Sequence, residues 1–201
     1  MSEPLIEPQH ARTGTSQPQR KKRKKMGWGW WALILLLLIF FGMVGFKVKE
    51  GTRLKVGDKP PEDLVLHTFD GQTIRLGDLK GKVVLINFWA SWCTTCKAEA
   101  VELERAWRYY QKTRDDVIFL GLDYVDSEID ALKWIEYYDI TYPNGPDLRT
   151  RWSQAFGLQG VPETYVLDKQ GRVAAFKIGP YQSYDEIIAH IEEALRRSEQ
   201  P

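Results

Sequence analysis

Apolar positions along this chain recur with three different spacings, and each spacing predicts a different kind of element. The first is an unbroken run. Residues 27–46 read Gly-Trp-Gly-Trp-Trp-Ala-Leu-Ile-Leu-Leu-Leu-Leu-Ile-Phe-Phe-Gly-Met-Val-Gly-Phe and carry no charge. A helix needs about 20 such residues to cross a bilayer core. The second kind is a short buried-type strand. Val83–Trp89, Val117–Leu122, Thr164–Leu167 and Val173–Ile178 fit this description, and Leu64–Thr68 and Thr73–Arg75 flank an Asp70-Gly71 hairpin turn. The third is helical. Cys96, Ala100, Leu103, Trp107 and Tyr110 are spaced 4, 3, 4 and 3, which predicts a helix from about Thr94 with one apolar stripe. Ala131, Trp134, Ile135 and Tyr138 follow Ser127 and Asp130 as a second amphipathic helix. Tyr184, Ile187, Ile188, Ile191 and Leu195 form the buried face of a third, started by the capping box Ser183–Glu186. Tyr142-Pro-Asn-Gly-Pro146 breaks the pattern, and Asp168–Gly171 is a turn. Strands alternating with helices and closed by a late hairpin predict an α/β fold, a sheet with helices on both faces.

Charge divides the chain in the same places. Residues 20–25 are Arg-Lys-Lys-Arg-Lys-Lys, directly before the apolar run, and Trp28, Trp30 and Trp31 lie at its basic end. Basic flanks stay cytoplasmic and indole rings favour the headgroup region. Residues 1–26 are therefore expected as a disordered basic cytoplasmic tail, 27–46 as a transmembrane helix retained as a signal anchor, 47–59 as a linker, and 60–201 as one extracytoplasmic domain with its own core. The run is longer than a signal-peptide core and no Ala-x-Ala cleavage site follows. Of the 28 basic and 27 acidic residues, 21 and 25 lie after residue 46, so the outer part has a net charge of −4. Nothing in that balance suggests a nucleic-acid partner, and none is expected. The basic run is a topology signal with some attraction to anionic lipid.

Chemistry concentrates at Trp92-Cys93-Thr94-Thr95-Cys96, which holds the two cysteines of the 201-residue chain. A Cys-x-x-Cys pair after a buried strand and at a helix start reads as a redox dithiol. Unpaired N–H groups and the positive dipole end should lower the pKa of Cys93. Cys93 should be the accessible attacking thiolate and Cys96, on the apolar stripe, the shielded resolving thiol. A structural disulfide closing so short a loop would stabilise little. A zinc site needs about four ligands; beyond the two cysteines there are only His10, His67 and His190, scattered and expected without a role. No cofactor is expected.

Asn87-Phe-Trp-Ala-Ser-Trp-Cys-Thr-Thr-Cys-Lys-Ala-Glu99 resembles the active-site segment of membrane-tethered, thioredoxin-like thiol–disulfide oxidoreductases of the TlpA/ResA type. It is most similar to the CcmG/DsbE group of cytochrome c biogenesis. Gly157-Leu-Gln-Gly-Val-Pro-Glu-Thr164 resembles the cis-proline segment of the same proteins, and the likeness runs over about residues 55–197. It implies a thioredoxin-like fold and Cys93 and Cys96 as the redox pair. It also implies a cis peptide bond at Pro162 against them, and Glu99 as a carboxylate beside the dithiol, with Glu163 as the runner-up. Asn87 stands where bulk thioredoxins carry a buried acid, as in the narrower group. Thr95 departs from the proline that many relatives place before the second cysteine. The implied activity is reduction of extracytoplasmic protein thiols, including those of apocytochrome c, with a transmembrane electron-donating partner. A general oxidase or isomerase, and a non-enzymatic copper-delivery protein on the same fold, are the alternatives; the latter uses Cys-x3-Cys and a distant histidine.

Overall fold

The computed structural model describes residues 27–47 and 53–199. The chain divides into two units, residues 1–48 and 49–201. In the first, α1 (Trp28–Lys47) is a helix of 20 residues, and Trp28, Trp30, Trp31 and most of Leu33–Ile39 are exposed. Side chains of the expected span 27–46 are described as far as Ile39. Among the described residues no helix is long and apolar enough to cross a membrane. The transmembrane assignment is thus not supported by the fold and rests on sequence alone. The expected tail, residues 1–26, lies outside the described residues.

The second unit is built on a five-stranded sheet in the order β5-β4-β3-β6-β7. Its strands are β3 (Val83–Trp89), β4 (Val117–Asp123), β5 (Asn144–Pro146), β6 (Glu163–Leu167) and β7 (Val173–Ile178). β3, β4 and β5 run parallel, whereas β6 and β7 pair antiparallel. A separate hairpin, β1 (Val65–His67) with β2 (Thr73–Arg75), forms across the Asp70-Gly71 turn. Every residue of the central strand β3 is buried, because both sheet faces are covered; its sequence accordingly reads as a continuous apolar run and not an alternating one. One face carries α2 (Cys96–Thr113), α3 (Glu128–Tyr137) and α5 (Tyr184–Ser198), packed on Val83, Leu85, Trp89, Phe119 and Val166. The other carries α4 (Arg151–Phe156) and the hairpin, packed on Val84, Ile86, Phe88, Leu120 and Tyr165.

One row of residues interrupts the apolar face under α2. Asn144, Gly121, Asn87, Thr164 and Lys177 are successive register partners across all five strands. Gly121 is required in this row. A Cβ there would lie 1.7 Å from Asn144 Oδ1 and 2.9 Å from Trp89 Nε1, and those two atoms hydrogen-bond each other at 2.8 Å.

Two boundaries differ from the sequence expectation. The domain begins before residue 60: Leu54 N–H donates to Phe156 O, Gly57 N–H to Val173 O, and Val173 N–H to Asp58 O. The polar stretch from Arg53 on is therefore an added edge of the domain and not a free linker. The helix α4 was not legible either. It is six residues long, too short for a periodic stripe, and its start is capped by Asp147, whose carboxylate accepts from Trp152 N–H and Ser153 N–H. Asp147 reaches them because Arg149 and Thr150 adopt left-handed backbone, φ 57° and 53°.

Candidate active site

The chain leaves β3 at Trp89 and turns through Ala90-Ser91-Trp92 into the cysteine pair. Cys93 N–H donates to Ala90 O, and Ser91 N–H to Asp126 Oδ2 at 2.5 Å. Trp92, 58 % exposed, donates its indole N–H to Val125 O. Cys93 and Cys96 form a disulfide. α2 begins at Cys96 with no side-chain cap on Thr95. The Cys96 N–H instead points at Cys93 Sγ, 3.1 Å away. A sulfur so placed takes the first-turn donor that a capping oxygen would otherwise take, and a thiolate there gains from the N–H and the helix dipole.

The sequence expected Cys93 to be accessible. In this oxidised form it is 4 % exposed and Cys96 1 %. Both sulfurs belong to the core cluster, and the half-buried Phe69 and Val161 pack against that cluster. Cys93 is the less buried of the two. The Val161–Pro162 bond is cis. Glu163 pairs with Phe88, so Pro162 stands level with Trp89, at the end of the sheet from which the cysteine loop departs.

Glu99 is 1 % exposed. It is three residues along α2 from Cys96, on the buried side. Its Oε1 accepts from Asn87 Nδ2 at 2.9 Å and its Oε2 from Tyr181 N–H at 2.8 Å, while Asn87 Nδ2 also donates to Thr164 Oγ1 at 2.9 Å. Burial pushes its pKa up to about 7, against the two hydrogen bonds and the Lys177 charge that pull it down. Glu99 is thus a buried acid that changes charge near neutral pH, and not a solvated helix residue.

Glu163 is also buried, at 2 % exposure, but it points to the opposite face. It pairs with Arg53 Nη2 at 2.7 Å and accepts from Tyr165 OH and Gln159 N–H. The sheet therefore separates it from Glu99, Asn87 and Thr164. His67 bonds Thr73 on the exposed hairpin, and His190 Nδ1 lies 2.9 Å from Tyr181 OH; His10 lies outside the described residues.

Asp123 was not anticipated. It is the register partner of Trp89, on the dithiol face, and is 3 % exposed. Its Oδ1 is buried without a partner. Burial, together with the Asp126 carboxylate beside it, pushes its pKa up to about 8. The available signal was an acid closing a parallel strand at its carboxyl end, where α/β sheets place their ligands.

A dithiol in this setting can exchange with a disulfide. A Cys93 thiolate attacks one sulfur of the partner and releases the other as a thiolate. Cys96, once deprotonated, attacks Cys93 Sγ, re-forms the Cys93–Cys96 bond and frees the second partner sulfur. Two electrons and two protons pass to the partner.

Comparison with known proteins points the same way. The AhpC/TSA family profile matches residues 56–176. The chain is similar to the thiol-disulfide oxidoreductase ResA of Bacillus cereus (strain ZK / E33L), 30 % identical over 146 residues, covering 70 % of this chain and 83 % of that protein. ResA of Geobacillus thermodenitrificans (strain NG80-2) is 32 % identical over 143 residues, covering 71 % and 80 %. Among solved structures, a thiol:disulfide interchange protein of the thioredoxin family from Chlorobium tepidum TLS superposes with a TM-score of 0.61 at 21 % identity, over 72 % of this chain and 99 % of that one. A secreted Mycobacterium tuberculosis disulfide oxidoreductase homologous to E. coli DsbE gives 0.58 at 20 % identity, over 65 % and 95 %. These two likenesses show the fold, which is thioredoxin-like.

Proposed function

The chain belongs to the AhpC/TSA family and is a thiol–disulfide oxidoreductase, and we propose that it works in the reducing direction on protein disulfides outside the cytoplasm. The observation that carries this reading is Glu99. Glu99 is buried on α2 one turn on from Cys96, and a carboxylate held in that part of the core disfavours a thiolate on Cys96, because two anions would share a poorly solvated space. Strong oxidants owe their potential to a stabilised reduced form; Glu99 acts in the opposite sense and makes the pair a better electron donor. The same carboxyl, titrating near neutrality, accepts the proton that Cys96 must lose before it resolves the mixed disulfide. Pro162, level with Trp89, helps present the bound partner segment to Cys93.

The location follows from the sequence. Six cations precede residues 27–46, which supports a single-pass anchor with a cytoplasmic N-terminus and an extracytoplasmic domain. In an oxidising compartment a reductase is needed to keep selected thiols free, and cysteines of apocytochrome c awaiting haem attachment are the substrate this reading favours. The oxidised protein must then be re-reduced by a transmembrane electron donor.

Equilibration of the detergent-solubilised protein with thiol buffers of known potential tests the direction. A midpoint close to that of thioredoxin, about −270 mV, is expected; one close to the strong oxidant DsbA, about −120 mV, would refute it.

A further inference from the structure

Lys177 and Glu186 form an ion pair at the end of the polar row, and neither takes part in the thiol exchange itself. Lys177 is the end of the polar row: Asn87, Thr164 and Lys177 face one another across β3, β6 and β7, and Asn87 bonds both Thr164 and Glu99. Its ammonium is bonded to Glu186 Oε1. Glu186 in turn is fixed from the loop before α5. The consecutive amides of Tyr181 and Gln182 donate to two different carboxylates, Tyr181 N–H to Glu99 Oε2 and Gln182 N–H to Glu186 Oε2. One short segment thus holds a buried and a half-exposed carboxylate at neighbouring positions, with a single cation at the end of the row that leads to the buried one.

We infer that Lys177 and Glu186 are positioning residues for Glu99: the ammonium favours its carboxylate form, and Glu186 masks part of that charge. Lys177 attracts the Glu99 charge and Glu186 repels it. The other ionisable groups that sense Glu99 are Tyr142 before β5 and Tyr181, both held neutral by burial and the Glu99 charge; Cys96, one turn back on the same helix, is tied in the disulfide and does not titrate in the oxidised protein. The pair matters to catalysis because Glu99 must be ionised to take the Cys96 proton, so this inference rests on the role proposed for Glu99 above.

The sign of each substitution follows. Lys177→Met removes the cation and leaves Glu186 unmasked, so Glu99 holds its proton more tightly. Glu186→Gln keeps an acceptor for Gln182 N–H, removes an anion and frees the ammonium, so Glu99 ionises more readily. His190 feels the same two charges in the same sense, its pKa being lowered by burial and by Lys177 and raised by Glu186. Both groups should rise in Lys177→Met and both should fall in Glu186→Gln. Mere loosening of the site would move them apart, because entering water returns Glu99 downwards and His190 upwards.

The experiment uses the full chain. Carboxyl and imidazole NMR titrations follow Glu99 and His190 in the oxidised protein. Stopped-flow release of a peptide thiol from a preformed Cys93 mixed disulfide follows resolution between pH 5.5 and 9. Lys177→Met should raise the Glu99 midpoint by about one unit, tenfold in its proton equilibrium. From a midpoint of about 7, resolution at pH 7 then slows roughly fivefold and recovers by pH 9. Lys177→Arg should restore the wild-type profile, Glu186→Gln should shift it to lower pH, and the double variant should fall between. Titrations that stay put in both single variants, or Glu99 and His190 moving in opposite directions, would overturn the inference. Titrations that move as expected while resolution keeps its wild-type pH profile would uphold the electrostatic assignment and refute Glu99 as the proton acceptor.

Discussion

Glu99→Gln tests the central electrostatic feature through stability alone, with no substrate. Glu99 titrates at 4.5 when solvated and at about 7 in the fold. Below pH 4 it is protonated in both states and contributes no pH dependence. As pH rises from 4.5 to 7 the unfolded chain releases this proton and the folded chain keeps it. The unfolded state then binds fewer protons, so wild-type stability falls. Above about 8 both states are ionised and the loss levels off. A difference of about 2.5 units at ~1.4 kcal/mol each amounts to about 3 kcal/mol. Glutamine cannot titrate and escapes this loss. It does turn an amide donor towards Asn87 Nδ2 or Tyr181 N–H, at a cost of about 1–2 kcal/mol that does not vary with pH. The quantity to follow is the stability difference between variant and wild type, measured by urea unfolding of the oxidised protein with tryptophan fluorescence at pH 4, 5.5, 7 and 8.5. It should shift in favour of the variant by about 3 kcal/mol across that range, most steeply between pH 5 and 7. The constant offset cancels. A flat difference would mean that Glu99 ionises as a solvated side chain does, and the argument for a neutral-pH base beside Cys96 would fail with it.

Four further outcomes are expected. Cys93→Ser should abolish exchange, whereas Cys96→Ser should accumulate mixed disulfides with substrates, read by non-reducing electrophoresis. Asp123→Asn should stabilise the protein increasingly at alkaline pH, because the raised acid of the wild type loses stability as pH climbs from about 4 to 8; about 3 units of that range lie between pH 5 and pH 9, about 4 kcal/mol, so the thermal midpoint difference should widen by roughly 10 °C. Gly121→Ala should cost about 2–3 kcal/mol in chemical unfolding, since the added methyl overlaps Asn144 and breaks its bond to Trp89. Protease added to intact spheroplasts should digest the chain beyond residue 50 and spare its N-terminal tail; protection of the outer domain would reverse the proposed orientation.

Spacing along the chain was enough to locate the dithiol, the hairpin, all the longer strands and the three helices α2, α3 and α5, because those elements bury stripes that repeat with the period of their own backbone. Cys96 to Tyr110 lie on one face of α2 whatever packs against it. Ser127 and Ser183 each accept the N–H three residues on, as local capping dictates. The cysteine pair follows from the same locality, since a helix start carries its own field.

Nothing in the spacing decides which strands lie side by side, and that is where the site was made. Glu99, three residues from Cys96, and Glu163, beside Pro162, are both glutamates near a motif residue, and spacing ranks Glu99 first without saying which of them is buried on the dithiol face. The fold places one against Asn87 and Tyr181 under α2 and ties the other to Arg53 across the sheet. Residues 53–58 looked like linker because their partners, Phe156, Glu163 and Val173, are about a hundred positions away. The row from Asn144 to Lys177 draws on five strands whose order is not that of the chain. Sequence by itself determined the backbone of the longer strands and of α2, α3 and α5, and which sulfurs can react. Tertiary structure alone decided which carboxyl loses its water, because desolvation and the field of Lys177 depend on register between strands that only the assembled sheet brings together.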